Sequence, residues 1–276
     1  MKTWFITGIS RGLGLALASA AIARGDTVIG TVRGAAPAIP EGSGTLHVLT
    51  LDMEDGDAVE AAVERAFALA GRIDVIVNNA GYGLLGALEK ASDAEVARLF
   101  AVDLFGPFRL TRTALPHLRA QGSGHIVNIT SIAGRAPGAA SAMYAAAKYA
   151  LEGMSAALAQ EVAPLGIKVT AVAPGAFRTD FLSPHSIRKS EAEGEAYAAS
   201  VGRYGAAFDA MAGNQLGDPA RAAEAILALA DAEKAPLHLL LGSDALRRAR
   251  EKLDAVIEEI DQWEDVTRST DFPVSV

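Results

Sequence analysis

Cysteine is absent from the 276-residue chain, which excludes disulfides, thiolate metal sites and cysteine nucleophiles together. Histidine is sparse: His47, His117, His125, His185 and His238 stand far apart, and no pair has the spacing of metal ligands. They read as ordinary strand-flank, helix-end or loop residues, and no metal is expected. Basic residues are outnumbered, 25 Lys and Arg against 33 Asp and Glu, for a formal net charge of −8. Such a surface does not neutralise phosphates, so general nucleic-acid binding is excluded. No apolar run reaches the roughly 18 residues of a membrane span. Lys2, an apolar opening and Ala18-Ser19-Ala20 imitate a secretory leader. Arg11 and three glycines interrupt the would-be apolar region, and cleavage would discard the glycine turn described below. A cytoplasmic chain with an intact N-terminus is expected.

What is plentiful is apolar: half the residues are hydrophobic, enough for a large core. Short apolar runs alternate with alanine-rich amphipathic segments to about Leu241. Strands are expected at Thr3–Thr7, Thr27–Val32, Leu46–Leu51, Ile73–Val77, His125–Thr130, Ile167–Ala173 and Leu237–Leu241. They lack polar alternation, as strands buried on both faces of a parallel sheet do. Helices are expected near Leu13–Arg24, Asp57–Ala70, Asp93–Gln121, Ala142–Ala163 and Pro219–Ala230, the last with Asp218 as N-cap and Pro219 at its first position. This alternation specifies an α/β fold, a Rossmann-like doubly wound parallel sheet of seven strands with right-handed crossovers. No repeat or linker divides it, so residues 1–276 read as a single dinucleotide-binding and catalytic domain. An insertion at about 180–217 reads as a helical lid, and the charged stretch at about 243–276 as a C-terminal helix with a polar tail.

The first strand runs into Thr7-Gly8-Ile9-Ser10-Arg11-Gly12-Leu13-Gly14, and a helix follows. Glycines there let the backbone approach a pyrophosphate, and the helix N-terminus offers free N–H groups and a positive dipole end. The spacing Gly-x-x-x-Gly-x-Gly resembles the short-chain dehydrogenase/reductase family. Other residues agree in order: Asn78-Asn79-Ala80-Gly81 after the fourth strand, Ser131 ending the fifth, Tyr144 thirteen residues later with Lys148 four beyond, then Pro174-Gly175 and Thr179. The resemblance covers the chain to about Leu241 and implies an oxidoreductase that interconverts a carbonyl and an alcohol with a nicotinamide cofactor.

Hydride movement at carbon requires proton movement at oxygen. Tyrosine, with a pKa of about 10, is unsuited to this unless perturbed. A lysine cation and an oxidised nicotinamide nearby are expected to bring Tyr144 toward neutrality. Tyr144 and Lys148 share one helix face, and Ser131 sits at the carboxyl end of a strand, where ligands bind in open α/β sheets. Singly, each has a bland reading as packing residue, solvated charge or helix cap. Together at the family's spacing they are the expected catalytic set. The resemblance further implies that Asn79, Ala80 and Gly81 support the cofactor ribose, that Pro174, Gly175, Phe177 and Thr179 hold its carboxamide and phosphates, and that Asp52 and Met53 flank adenine. Asp52 also begins a good helix-capping run. A calcium loop there is rejected, because its glycine is one position out of register.

The second strand ends Thr31-Val32-Arg33, with no acid to hold a ribose 2′-hydroxyl. Arg11 and Arg33 suit the 2′-phosphate of NADP(H), so NADP(H) is expected, with NAD(H) as the alternative. Tyr197, Val201, Tyr204, Phe208 and Met211 recur at helical spacing within the lid; they either pack on the core or cover an apolar substrate, with Leu84, Leu85 and Met143 beside them. The stretch around Tyr82 and the Leu241–Asp244 ending resemble the steroid and retinol dehydrogenase branch. Asp103 stands where family members commonly carry an asparagine that helps hold a water serving the lysine. It either keeps that relay or only packs its helix. An NAD-linked alcohol dehydrogenase, an acyl-chain ketoreductase and a non-catalytic nucleotide-sensing regulator are the rival readings; regulators typically lose the tyrosine or the lysine. The expected partner is a small carbonyl or alcohol substrate, with no nucleic acid and no membrane; homodimer and homotetramer both stay open.

Overall fold

The computed structural model describes residues 1–39, 42–183, 186–189 and 195–272. His185, residues 184–185 and 190–194 of the expected lid, and 273–276 of the expected tail lie outside them. In chain order the elements begin β1 (Thr3–Ile6), α1 (Gly12–Ala23), β2 (Thr27–Val32), β3 (Thr45–Thr50), α2 (Gly56–Ala70), β4 (Val75–Asn78) and β5 (Gly83–Leu85). They continue with α3 (Asp93–Phe100), α4 (Gly106–Gln121), β6 (Gly124–Ile129), α5 (Ala142–Val162), β7 (Ile167–Pro174) and β8 (Ile187–Lys189). The chain closes with α6 (Arg203–Met211), α7 (Pro219–Asp231), β9 (His238–Leu241), α8 (Ser243–Gln262) and α9 (Glu264–Arg268).

Seven strands form one sheet in the order β3-β2-β1-β4-β6-β7-β9, every neighbouring pair parallel. Alternation along β1 shows why its apolar run has no polar member. Trp4 and Ile6 enter the core under α1 and α7, while Phe5 enters the opposite core under α2, α4 and α5. All three are fully buried, which stabilises the fold by roughly 1.5–3 kcal/mol per large side chain. The strand order reverses between β1 and β4, and a crevice outside the strands' carboxyl ends is the geometric consequence. Asp218 caps α7 by accepting from Ala220 N–H at 2.8 Å, with Pro219 at the first position, as expected.

Three departures from the sequence expectations matter. Strand ends move by one or two residues, so that the fourth runs to Asn78 rather than Val77. A small second sheet pairs β5 with β8 in parallel, an arrangement no sequence pattern announced. The single helix expected over Asp93–Gln121 is interrupted by one π turn, Ala101–Phe105. Pro107 has no N–H to donate back and its ring excludes the carbonyl one turn earlier, so Gly106 N–H reaches to Ala101 O instead. The widened turn carries Asp103 inward to full burial.

Candidate functional site

The carboxyl ends of the strands open onto a cavity of about 860 Å3. At one end stands the β1–α1 turn. Gly8 and Gly12 take positive φ, +74° and +59°, which only glycine adopts without strain. A Cβ at Gly14 would stand 2.3 Å from Gly8 O and 2.4 Å from Asn79 Nδ2. That asparagine ties the turn to β4: its amide donates to Thr7 O at 2.8 Å and to Gly8 O at 3.1 Å. Thr7 Oγ1 in turn accepts from Asn79 N–H and Ala80 N–H, each at 3.0 Å. No side chain caps the first turn of α1, and Ser10, Arg11, Gly12, Leu13 and Gly14 all face the cavity. Its backbone donors and dipole therefore point into the space.

Along this floor the cavity meets Arg33 at the end of β2, then Asp52 and Met53 after β3, then Asn79, Ala80 and Gly81. The helix cap of α2 is Asp55, which accepts from Ala58 N–H at 3.0 Å; Asp52 accepts from Glu54 N–H at 3.1 Å and stays on the cavity wall. Pro174, Gly175, Phe177 and Thr179 line the far side, with Thr179 opposite Gly12.

Ser131, Tyr144 and Lys148 converge at the centre. Ser131, two residues past the end of β6, is in extended backbone and caps a short turn by accepting from Ala133 N–H at 3.1 Å. It is thus a cap, as its bland reading held, and its hydroxyl also acts on Tyr144 in the direction that favours the ionised ring. Lys148 Nζ lies 5.8 Å from the Tyr144 ring centroid and donates to Ile129 O at 3.2 Å. Asp103 does not line the cavity. It sits behind the lysine, with Oδ2 3.0 Å from Lys148 Nζ and Oδ1 accepting from Tyr82 N–H at 3.1 Å.

Electrostatics follow from this packing. Burial works against the Lys148 ammonium, yet the charge of Asp103, aided by Tyr144 and Glu152, overcomes it and holds the lysine above its ordinary value. Burial raises Tyr144, Asp103 adds to the rise, and Lys148 and Ser131 pull back without cancelling it. In the chain by itself the expected lowering of Tyr144 is therefore reversed: the lysine acts in the expected direction, and burial outweighs it. Tyr82, the other tyrosine on this wall, is pushed up to about 12, first by burial and then by Asp103.

The lid stripe divides. Tyr204, Phe208 and Met211 line the cavity, the first two rings 5.0 Å apart, while Tyr197 and Val201 do not reach it. Tyr197 instead stands near Glu89, whose charge raises it. Leu85 lines the cavity, but Leu84 and Met143 do not. Leu84 is buried beneath with Leu99 and Ala147, because adjacent residues of β5 point to opposite sides, and Met143, on α5, faces a separate small void. Leu182, Ile187 and Phe181, the last with its ring 6.1 Å from that of Tyr144, complete the apolar wall.

Asn78 apart, sequence reasoning missed the buried polar residues beneath this site. Asn78 donates to Asn128 Oδ1 at 2.8 Å, Asn128 to Ser155 Oγ at 2.8 Å, and Ser155 to Leu151 O at 2.6 Å, stitching β4, β6 and α5 together. Glu152, one turn beyond Lys148, accepts from Thr130 and from Arg135, and His238 stands 3.3 Å away. The one available signal was polarity at positions of otherwise apolar segments. Among the described residues no group of three or more His, Asp or Glu is arranged to hold a metal, and no helix is long and apolar enough to cross a membrane.

The short chain dehydrogenase family model matches residues 2–192, more than half of the chain. The chain belongs to this family. A short-chain dehydrogenase from Streptomyces avermitilis superimposes with a TM-score of 0.88 at 43% identity, over 98% of this chain and 100% of that one. Oxidoreductase BOA17 of Botryotinia fuckeliana is 35% identical over 275 residues, 96% of this chain and 98% of its own length. A metagenomic short-chain oxidoreductase solved with NADP is 29% identical, with a TM-score of 0.69 over 87% of this chain and 96% of that one. The chain is accordingly an oxidoreductase of the short-chain dehydrogenase/reductase fold.

Proposed function

We propose that this oxidoreductase uses NADP(H) to interconvert a carbonyl and a secondary alcohol on an apolar substrate. One observation carries the reading. A single cavity holds a glycine turn at a helix N-terminus at one end and the Ser131–Tyr144–Lys148 cluster at its centre. The cavity fits a dinucleotide: the turn has no room for a Cβ at Gly14, its helix has no side-chain cap, and a phosphate there meets backbone donors. Arg11 and Arg33 both line the cavity, and two guanidinium groups suit a 2′-phosphate, while β2 ends without the acid an NAD-selective site uses. The NADP carried by the metagenomic relative supports the same choice.

When bound, the nicotinamide supplies or takes the hydride. Tyr144 gives a proton to the substrate oxygen in reduction and receives it in oxidation. Its raised pKa keeps it protonated at neutral pH, the state an acid needs. Ser131 holds the same oxygen against the tyrosine. The Lys148 ammonium stabilises the charge left on Tyr144, and Asp103 keeps that ammonium charged within a buried site. Tyr82 also faces the cavity but has neither partner, so it is not the acid. The apolar wall of Leu85, Phe181, Phe208 and Met211 excludes water and selects apolar substrates.

Tyr144→Phe tests the reading, because it removes one oxygen and keeps the ring. Nicotinamide absorbance over a ketone and alcohol panel should show kcat reduced about 10²–10⁴-fold with cofactor affinity retained. A variant keeping more than about a tenth of the activity refutes the assignment.

A further inference from the structure

Helix α8 is 20 residues long, about 30 Å, and only its first turns belong to the body of the molecule. Ala245 and Ala249 are buried against Ile132 and Ala136, and Asp244 accepts from Ala176 N–H at 2.9 Å. Beyond Lys252 the helix carries a different face. Leu253 is 62% exposed, Ile257 55%, Ile260 62% and Trp263, just past its end, 63%. With Leu246, the first three fall within an arc of about 60° at 100° per residue, one continuous apolar stripe. Seven of the sixteen large exposed hydrophobic residues among those described lie between Leu246 and Phe272, so the feature is concentrated rather than scattered. Stripes of this kind mark contact surfaces.

Charge identifies the occupant. Residues 243–252 carry Arg247, Arg248, Arg250 and Lys252 against Asp244 and Glu251. Residues 253–267 carry Asp254, Glu258, Glu259, Asp261, Glu264 and Asp265 and no basic residue. A parallel copy would set like charge against like, and an anionic membrane would repel the acidic half. An antiparallel copy matches the two halves along the full length.

We propose that α8 pairs antiparallel with α8 of a second copy of this chain, forming an isologous two-fold interface. The axis passes near residues 255–256, between Leu253 and Ile257. Arg250, which flanks the stripe, then faces the partner's Asp261, and Leu246 meets the apolar end of the partner's stripe. This assembly is independent of the oxidoreductase reading, since none of these stripe residues lines the cavity.

The absence of cysteine permits a direct test on the full chain. Ile257→Cys places a thiol beside the axis, where Cα atoms can come within the 4.4–6.8 Å a disulfide requires. Mild oxidation should link it into a covalent dimer, whereas Leu246→Cys, far from the axis, should stay unlinked. Light scattering should show the mass of the parent halved in Leu253→Glu/Ile257→Glu, with circular dichroism and specific activity unchanged. Arg250→Asp should weaken association at least tenfold, and adding Asp261→Arg should restore it. Linking of both cysteine variants would indicate parallel pairing and overturn the proposal. So would linking of neither, an unchanged mass in the double variant, or a monomeric parent that floats with phosphatidylglycerol vesicles.

Discussion

Substituting Asp103 by asparagine removes a charge and keeps the shape, and the surrounding donors decide the outcome. Lys148 Nζ lies 3.0 Å from Oδ2, and Tyr82 N–H donates to Oδ1 at 3.1 Å. Both neighbours are donors, and an amide has one acceptor oxygen, so in either orientation its NH2 opposes one of them. One buried donor is orphaned, at about 1–3 kcal/mol. The ion pair itself, at 3.0 Å and an effective dielectric near 20, is worth about 5.5 kcal/mol, largely offset by the desolvation of Asp103 that the variant no longer bears. Asp103→Asn should therefore lose about 1–3 kcal/mol in urea unfolding, and Asp103→Leu, which strands the ammonium as well, about 3–5 kcal/mol. The pH dependence has a definite sign. Asp103 raises Tyr144, so its removal lowers Tyr144, and the alkaline limb of kcat/KM for reduction, where Tyr144 loses its proton, moves to lower pH. A limb that stays in place or moves upward in Asp103→Asn refutes this reasoning. So does an Asp103→Leu enzyme as stable as its parent.

Arg33→Ala should lower kcat/KM with NADPH about 10- to 150-fold while changing NADH little, as expected for one charge-assisted phosphate contact of about 1.5–3 kcal/mol. A parent enzyme equally efficient with both cofactors contradicts the NADP(H) assignment. Phe208→Ala opens the apolar wall and should raise KM for bulky apolar ketones by about tenfold, with small ketones little affected; a uniform rise across sizes points to simple packing. His125, buried with a ring nitrogen 2.9 Å from Thr170 Oγ1, is depressed to about 4 by burial and by the Lys168 charge. The unfolded chain binds this proton more readily, so the contribution is complete above about pH 6.5 and is lost as pH falls toward 4, about 3 kcal/mol in all. His125→Gln should flatten that acid slope, and an NMR midpoint near 6.5 for His125 would show the premise wrong.

The parts of the fold legible in the sequence are those whose signal is local. Both-face burial leaves a parallel strand predominantly apolar, so β1, β2, β4, β6 and β7 stand out, and Asp218-Pro219 marks a helix start by its own chemistry. The β5–β8 pair had no such signal: three residues at Gly83–Leu85 meet three at Ile187–Lys189 across a long chain separation. The π turn was masked by a helical pattern that continues through Asp93–Gln121. Gly106-Pro107 was its only trace, because Pro107 removes one helical hydrogen bond and crowds the turn before it.

The same division runs through the candidate site. Gly8, Gly12 and Gly14 are readable because the backbone there admits no other residue, and Tyr144 and Lys148 because one helix turn fixes their separation. Asn128, Ser155, Thr130 and Glu152 hold that site from beneath, yet each acquires its role from a residue on another element. Met143 errs the other way: it was expected in the same pocket as the lid stripe, but neighbouring positions on a helix point 100° apart, and beside Tyr144 it faces a different void. Asp103 joins both cases. Its place in the chain was legible, and whether it bonds one donor or two depended on a widened turn that brings Tyr82 N–H and Lys148 to opposite oxygens. A carboxylate accepts from Tyr82 N–H with one oxygen and sets negative charge against the Lys148 ammonium with the other, and an amide offers no such charge, which is the physical reason an aspartate is suited to this position.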